Sequence, residues 1–153
     1  MLFRSDEIHQ RLAEALQAIW LRELGVRVSI AQVEQKTWIQ NQQTLNYGIS
    51  TAAWTADFPD PVTFLGLFAA NGTYNWTGWA SPEFDALLQQ AAASLDSAPR
   101  TELFQQAERR LLEEAPVAPL FFGAQTYLID PAVRGWEPSL LIFRRYQLVR
   151  FDP

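Results

Sequence analysis

The chain has 153 residues, of which 48% are hydrophobic and 19% charged, with a net charge of −5, no Cys and a single His. This composition is globular and excludes disordered, collagen-like and coiled-coil chains. The missing Cys excludes disulfides and thiolates, the single His removes the common zinc sites, and the acidic charge disfavours binding to a phosphate backbone. We therefore expect one domain over 1–153, with no metal, no cofactor and no nucleic-acid partner.

The start of the sequence does not predict a signal peptide. It becomes acidic at Asp6 and Glu7 before an apolar core can form, and no run of about eighteen apolar residues follows anywhere. As given, the chain is expected neither to direct its own export nor to span a membrane.

The first thirty residues predict a β-α-β start. Met1 to Phe3 is the opening strand, and Ser5 caps a helix whose apolar residues recur every three or four positions. Gly25 ends that helix, and the alternation from Val26 to Ile30 is typical of a half-buried strand.

Two further elements are predicted before the first proline-rich segment. Trp38, Ile39 and Leu45 indicate a shorter second helix, and Tyr47 to Trp54 predicts a strand that runs into a loop. The prolines from Ala56 to Pro61 then exclude regular structure.

The second half predicts a helical hairpin followed by short strands. Ser81-Pro82 and Ser97-Ala98-Pro99 each begin a predicted helix with a proline in its first turn, and both helices carry an apolar stripe. Short strands are expected at 117–122, 126–129 and 133–136, before a tail with the basic cluster Arg144, Arg145 and Arg150. In an acidic chain this cluster is expected to be solvated.

Asp57 is the leading candidate for a functional side chain. It lies where a predicted strand gives way to a loop, three residues after Trp54. A carboxylate beside an indole suits a primary ammonium group, through a charge-assisted hydrogen bond and an aromatic face. The alternative is a loop Asp that bonds backbone amides, and the residues by themselves leave both interpretations open.

Asp60 has a structural alternative of its own. Asp57 and Asp60 form a close pair of acids, and paired carboxylates can act as acid and base. However, Asp60 precedes Pro61 at the start of a short predicted helix, so capping is the favoured interpretation. No nucleophile or oxyanion motif supports a hydrolase, and we expect no catalytic residues.

Four large aromatic residues lie around two loops: Trp54, Tyr74, Trp76 and Trp79. Anchoring of the core or the loops is the favoured role for each. Together they also suggest an aromatic-lined cleft.

Several segments resemble, in the same order, the solute-binding protein family 5, the oligopeptide- and dipeptide-binding proteins of ABC importers. The run AWTADFPDP from Ala53 to Pro61 resembles the family's signature stretch. NWTG followed by SPEFD, over 75–85, resembles a second family segment, and further likenesses lie at 100–120, 133–135 and 8–26.

The resemblance implies a fold class and a set of site residues. The fold is α/β, one lobe of a periplasmic-binding-protein-like (type II) fold, with a mixed sheet, flanking helices and a helical hairpin. Asp57 matches the Asp that holds a peptide's α-ammonium group, and the neighbours Ala53, Trp54 and Thr55 line the same cleft. Thr51 stands where some oligopeptide binders carry an Arg for the ligand carboxylate, so no Arg serves that role here.

The implied function is that of a ligand-binding lobe rather than an enzyme. Its partners would be a peptide or other small solute, a missing second lobe and the membrane subunits of an ABC importer. Its location would be periplasmic or at the outer cell surface. The alternative is a truncated, stand-alone structural or interaction domain that no longer binds solute, because one cleft wall leaves a ligand half-exposed.

Overall fold

Residues 1–124, 126–137, 139 and 145–152 are described by a computed structural model. The chain divides into two units. The first unit combines Met1–Ala53 with Asn71–Ala80, and the second combines Trp54–Ala70 with Ser81–Pro153. The expectation of a single domain over 1–153 stays a prediction.

The first unit begins with the predicted β-α-β arrangement. Strand β1 (Leu2–Arg4) pairs in parallel with β2 (Ala31–Val33), and helix α1 (Glu7–Leu24) connects them. Leu2 and Phe3 of β1 are buried, and α1 contacts this strand. The short apolar start of the sequence is therefore the centre of a small parallel sheet.

The two ends of α1 test two sequence predictions. The N-cap is Asp6 rather than Ser5, because the Asp6 carboxylate accepts the backbone N–H of His9 at 2.9 Å. At the other end Gly25 adopts the left-handed conformation with φ of 67°, and its N–H bonds the carbonyl of Leu21 at 3.2 Å. The predicted stop at Gly25 is confirmed, and the predicted cap is shifted by one residue.

The strand predicted at 26–30 is wrong, since pairing starts only at Ala31. Helix α1 has 18 residues and is about 27 Å long, whereas three-residue β1 spans only about 10 Å. After α1 the chain must therefore run back toward β1 before β2 can pair with it. Residues 25–30 supply that return, so their alternation of apolar and polar residues does not correspond to a strand.

The second helix is confirmed as α2 (Gln35–Gln43). Its N-cap is Glu34, whose carboxylate accepts the N–H of Lys36 at 2.9 Å. The strand predicted from Tyr47 to Trp54 is reduced to one bridge between Ser50 and Leu2. Around this bridge Leu2 donates to the carbonyl of Ile49 and accepts from the amide of Thr51. The rest of the predicted strand, at 47–49 and 51–54, is irregular.

The second unit is built on the predicted helical hairpin. Helix α3 (Val62–Leu65) continues into a 3-10 turn (Gly66–Phe68), and α4 (Pro82–Ala93) packs against α5 (Ser97–Glu114). Among the described residues of this unit, the buried apolar side chains come from these three helices: Leu65, Phe84, Ala91, Phe104, Ala107 and Leu111. Helix α3 also contacts α5, so the hairpin supports the segment that leads into α3.

The strands predicted at 117–122 and 126–129 are wrong, because 117–124 and 126–130 are irregular. Strand β3 (Val133–Arg134) is shorter than predicted and pairs antiparallel with β4 (Arg150–Phe151). Of the basic cluster, Arg145 and Arg150 are exposed, and Arg144 lies outside the described residues.

The predicted fold class is confirmed: the described residues form five helices and two small sheets, one parallel and one antiparallel. In the described ranges, no helix combines the length and the apolar character that crossing a membrane requires.

Candidate functional site

The segment from Trp54 to Phe58 lies on the surface of the second unit. Trp54 is 37% exposed and Phe58 is 47% exposed, and Thr55 and Asp57 are exposed between them. The segment therefore presents to solvent one carboxylate, one hydroxyl and two aromatic side chains. These are the chemical groups expected for recognition of an ammonium group.

Asp57 is tied to the start of α3 through Thr63. The backbone N–H of Asp57 donates to Oγ1 of Thr63 at 3.0 Å, and the same hydroxyl lies 3.5 Å from Oδ2 of the Asp57 carboxylate. Thr63 is buried, whereas Asp57 is exposed. The Asp57 carboxylate therefore has a local hydroxyl partner and remains open to a ligand.

Asp60 performs the structural role predicted for it and also makes an ion pair. Its Oδ1 accepts the backbone N–H of Val62 at 3.0 Å, and its Oδ2 lies 2.7 Å from Nη1 of Arg100 on α5. The hydrogen bond from Arg100, supported by the Val62 amide, lowers the pKa of Asp60 below its usual value. Asp60 is therefore held as an anion and is a poor proton donor, which disfavours the acid–base pair with Asp57.

Two of the predicted site residues belong to the first unit. Thr51 is buried, its carbonyl accepts from Nε2 of Gln42 at 3.2 Å, and its hydroxyl has no partner among the residues described. Ala53 is exposed and is the last residue of that unit before Trp54. Trp54, Thr55 and Asp57 are together in the second unit, and the role of all five in binding stays a prediction.

Three of the four predicted cleft aromatics lie in the first unit, where hydrogen bonds hold their loop. The rings of Tyr74 and Trp76 are 5.8 Å apart, and the indole N–H of Trp76 donates to the carbonyl of Thr73 at 3.1 Å. The Tyr47 hydroxyl donates to the carbonyl of Trp76, and Asn75 donates to the carbonyl of Trp79. These contacts favour the loop-anchoring role.

Thr63 and Arg100 are contacts that sequence reasoning missed. Thr63 follows Asp57 by six positions at the start of α3, so a search for hydroxyls near that loop end could have found it. No sequence signal links Arg100 to Asp60, because the two positions are joined only by packing of α3 against α5.

The described part of the chain contains no cluster of three or more His, Cys, Asp or Glu side chains that could hold a metal ion. The site described above therefore rests on one carboxylate, its neighbours and the surface around them.

Solved structures of periplasmic-binding-protein-like proteins share the fold of this chain, with its small parallel sheet and its helical hairpin. The family profile described as bacterial extracellular solute-binding proteins, family 5 Middle, matches residues 1–76. The chain belongs to this family.

Known proteins of this family match most of the chain. The oligopeptide-binding protein OppA of Bacillus subtilis is 37% identical over 134 residues, which are 87% of this chain and 25% of that protein. The structure of the Escherichia coli murein tripeptide binding protein MppA is 29% identical, with a TM-score of 0.82 over 98% of this chain and 30% of that one. Haemophilus influenzae OppA, in complex with the peptide RPPGFSPFR, is 25% identical, with a TM-score of 0.83 over 99% of this chain and 30% of that one.

The chain spans about a quarter of the length of the curated relatives that it matches. Those relatives are named as binding proteins for peptides and other solutes, several of them periplasmic.

Proposed function

We propose that this chain forms one wall of the solute site in an extracytoplasmic binding protein that delivers peptides to an ABC importer. The observation that carries the proposal is the exposed carboxylate of Asp57, whose backbone N–H is bonded to Thr63. In the sequence, Asp57 lies between Trp54 and Phe58, whose side chains are also exposed. A peptide's α-ammonium group would donate to the carboxylate and lie against an aromatic ring. The resemblance to relatives named as peptide-binding supports the same class of ligand.

The proposed partners follow from the exposure of this segment. Small-molecule sites usually bury 70–90% of the ligand surface. Because Trp54 and Asp57 are exposed, a second lobe would complete the burial of a peptide bound to this wall. The second lobe and the membrane subunits of the importer are therefore part of the proposal, as is a location in the periplasm or at the outer cell surface.

A thermal melt of the chain with peptides tests the proposal. One sample contains a pool of tripeptides with free amino termini at millimolar concentration, and the matched sample contains the same pool N-acetylated. Ligand at about a hundred times its Kd adds about 2.7 kcal/mol, or roughly 5–10 °C in Tm for a domain of this size. We expect a shift with the free-amine pool only, and equal melts would contradict binding by this wall.

Asp57→Asn makes the test specific to the proposed site. Loss of a charge-assisted hydrogen bond costs about 1.5–3 kcal/mol, equivalent to roughly ten- to hundredfold in affinity. The variant should therefore lose most of the free-amine shift while its melt without peptide changes little. An unchanged shift would move the site elsewhere.

A second candidate function, a structural or interaction domain without a solute, is favoured by a different surface. Phe122 is 100% and Leu128 is 104% exposed. Residues 117–124 make no backbone hydrogen bond within the described part of the chain. Unpaired backbone beside exposed apolar side chains promotes association with another chain.

Light scattering at increasing concentration separates the two functions. An interaction domain should associate, and Phe122→Ser should weaken association. Leu95→Ser is the matched control, because Leu95 is 101% exposed but lies between α4 and α5. A strict monomer at high concentration would count against the interaction domain.

A further inference from the structure

The hydroxyl of Thr63 contacts both the backbone and the carboxylate of Asp57. We propose that Thr63 is a positioning residue, which fixes the direction of the Asp57 carboxylate before an ammonium group arrives. This inference rests on the proposed function, since it concerns the same carboxylate. It adds a buried residue that would act on the solute only through Asp57.

Thr63 is itself held in place by its neighbours. Thr63 is 6% exposed, and its backbone N–H donates to the carbonyl of Asp60 at 3.1 Å. Asp60 is in turn paired with Arg100, whose guanidinium carbon lies 4.6 Å from the ring centroid of buried Phe104. Helix α5 therefore anchors the turn that carries Thr63.

A single hydroxyl, such as that of Thr63, can accept one hydrogen bond and donate another at the same time. Oγ1 of Thr63 accepts the N–H of Asp57 at 3.0 Å, so its own hydrogen is available for Oδ2 of Asp57 at 3.5 Å. Ser has the same capacity, whereas Val has neither the acceptor nor the donor. The pair of contacts limits the torsion of an otherwise exposed side chain.

The restraint on the Asp57 side chain should raise the affinity for a ligand that binds its carboxylate. Ordering a flexible side chain on binding reduces affinity, and a side chain already held in its bound direction avoids that loss. The restraint should therefore be worth about two- to tenfold in affinity for a ligand that binds the carboxylate. A ligand without an ammonium group should gain nothing from it.

The test uses the 153-residue chain, uniformly labelled for nuclear magnetic resonance. The variants are Thr63→Val, Thr63→Ser and the control Thr101→Val, whose hydroxyl bonds the carbonyl of Ser97 within α5. Two structural readouts are the Hα–Hβ couplings of Asp57 and the exchange rate of its amide. The binding probes are trialanine and N-acetyl-trialanine.

We expect one fixed rotamer of Asp57 in the wild type, in Thr63→Ser and in Thr101→Val. Thr63→Val should average the couplings, speed amide exchange at Asp57 and weaken trialanine binding about two- to tenfold, with no effect on the acetylated peptide. Because Thr63→Val could fail to fold, the wild-type couplings provide an independent check: averaged couplings there overturn the proposal.

The failures are distinguishable. If the wild type binds trialanine no better than its acetylated form, the proposed function fails at this site and the positioning role fails with it. If the wild type discriminates between the peptides and Thr63→Val does so equally well, only the positioning role is overturned. The same holds if Thr63→Val leaves the rotamer of Asp57 fixed.

Discussion

The carboxylate of Asp60 joins the start of α3 to helix α5, because one oxygen accepts the amide of Val62 and the other lies 2.7 Å from Arg100. The two residues are far apart in the sequence and meet only through helix packing. Their ion pair holds the turn that leads into α3 against the helical hairpin, next to the segment that carries Asp57.

The Asp60–Arg100 pair predicts a dependence of stability on pH. The pKa of Asp60 is lowered in the folded chain, first by the hydrogen bond from Arg100, whereas the unfolded value is about 3.9. The stabilisation is therefore present above the unfolded pKa and is lost as the pH falls through the folded pKa. Asp60→Asn should show a smaller loss of unfolding free energy from about pH 4 downward, measured by urea unfolding.

Arg100→Gln provides the control for this prediction. It removes the ion-pair partner but leaves the hydrogen bond from the Val62 amide, so it should flatten the acid limb less than Asp60→Asn does. The double variant should resemble Asp60→Asn. An acid limb equally steep in all four proteins would show that the pair does not link protonation to folding.

Phe84 on α4 should be among the most sensitive positions of the second unit. Its relative exposure is 0%, and it is the largest fully buried side chain among the residues that the structure describes. Phe84→Ala should leave a cavity and cost about 3–5 kcal/mol of unfolding free energy. Leu95→Ala, at a position that is 101% exposed, should cost less than about 0.5 kcal/mol. Equal midpoints in urea would contradict the assigned core.

Ser81 should be required for the start of α4. Its Oγ accepts the backbone N–H of Phe84 at 3.4 Å, and Ser81 is itself buried. Ser81→Ala should cost about 1 kcal/mol, because an amide in the first turn loses its acceptor. Asp96→Ala is the comparison, since the N-cap side chain of α5 makes no capping hydrogen bond. The prediction fails if Asp96→Ala is the more destabilising of the two in chemical unfolding.

Gly135 should tolerate no side chain. Its φ is 75°, and a Cβ there would lie 2.0 Å from the carbonyl oxygen of Leu148. Gly135→Ala should separate β3 from β4, seen as faster exchange of the Asp152 amide, which donates to Ala132 at 2.8 Å. Gly123→Ala, where a Cβ meets nothing within 4 Å, should leave that exchange unchanged. Unchanged exchange in Gly135→Ala would contradict the close approach.

The sequence predicted the helices well, because their signals are local. The end of α1 at Gly25 and the start of α4 at Ser81 were both expected from residues adjacent to the helix ends. A helix satisfies its own backbone, so neighbouring residues suffice to place it.

The strands depended on partners that the sequence does not reveal. The residues at 26–30, 47–54 and 117–122 have strand-like patterns, but a strand forms only where another strand offers its hydrogen bonds. Three-residue β1 determines how far β2 can extend, and one bridge at Leu2 is all that remains for the segment around Ser50.

The same contrast between local signals and distant partners applies to the candidate site. The sequence by itself determined the family, the acidic-aromatic segment and the choice of Asp57, because these depend on residue type and order. Only the tertiary structure decided that Thr63 holds Asp57 and that Arg100 holds Asp60. The physical reason is that the Thr63 contact forms only once the turn before α3 has folded, and the Arg100 contact only once α3 packs against α5. Packing between helices brings together residues that no local pattern connects.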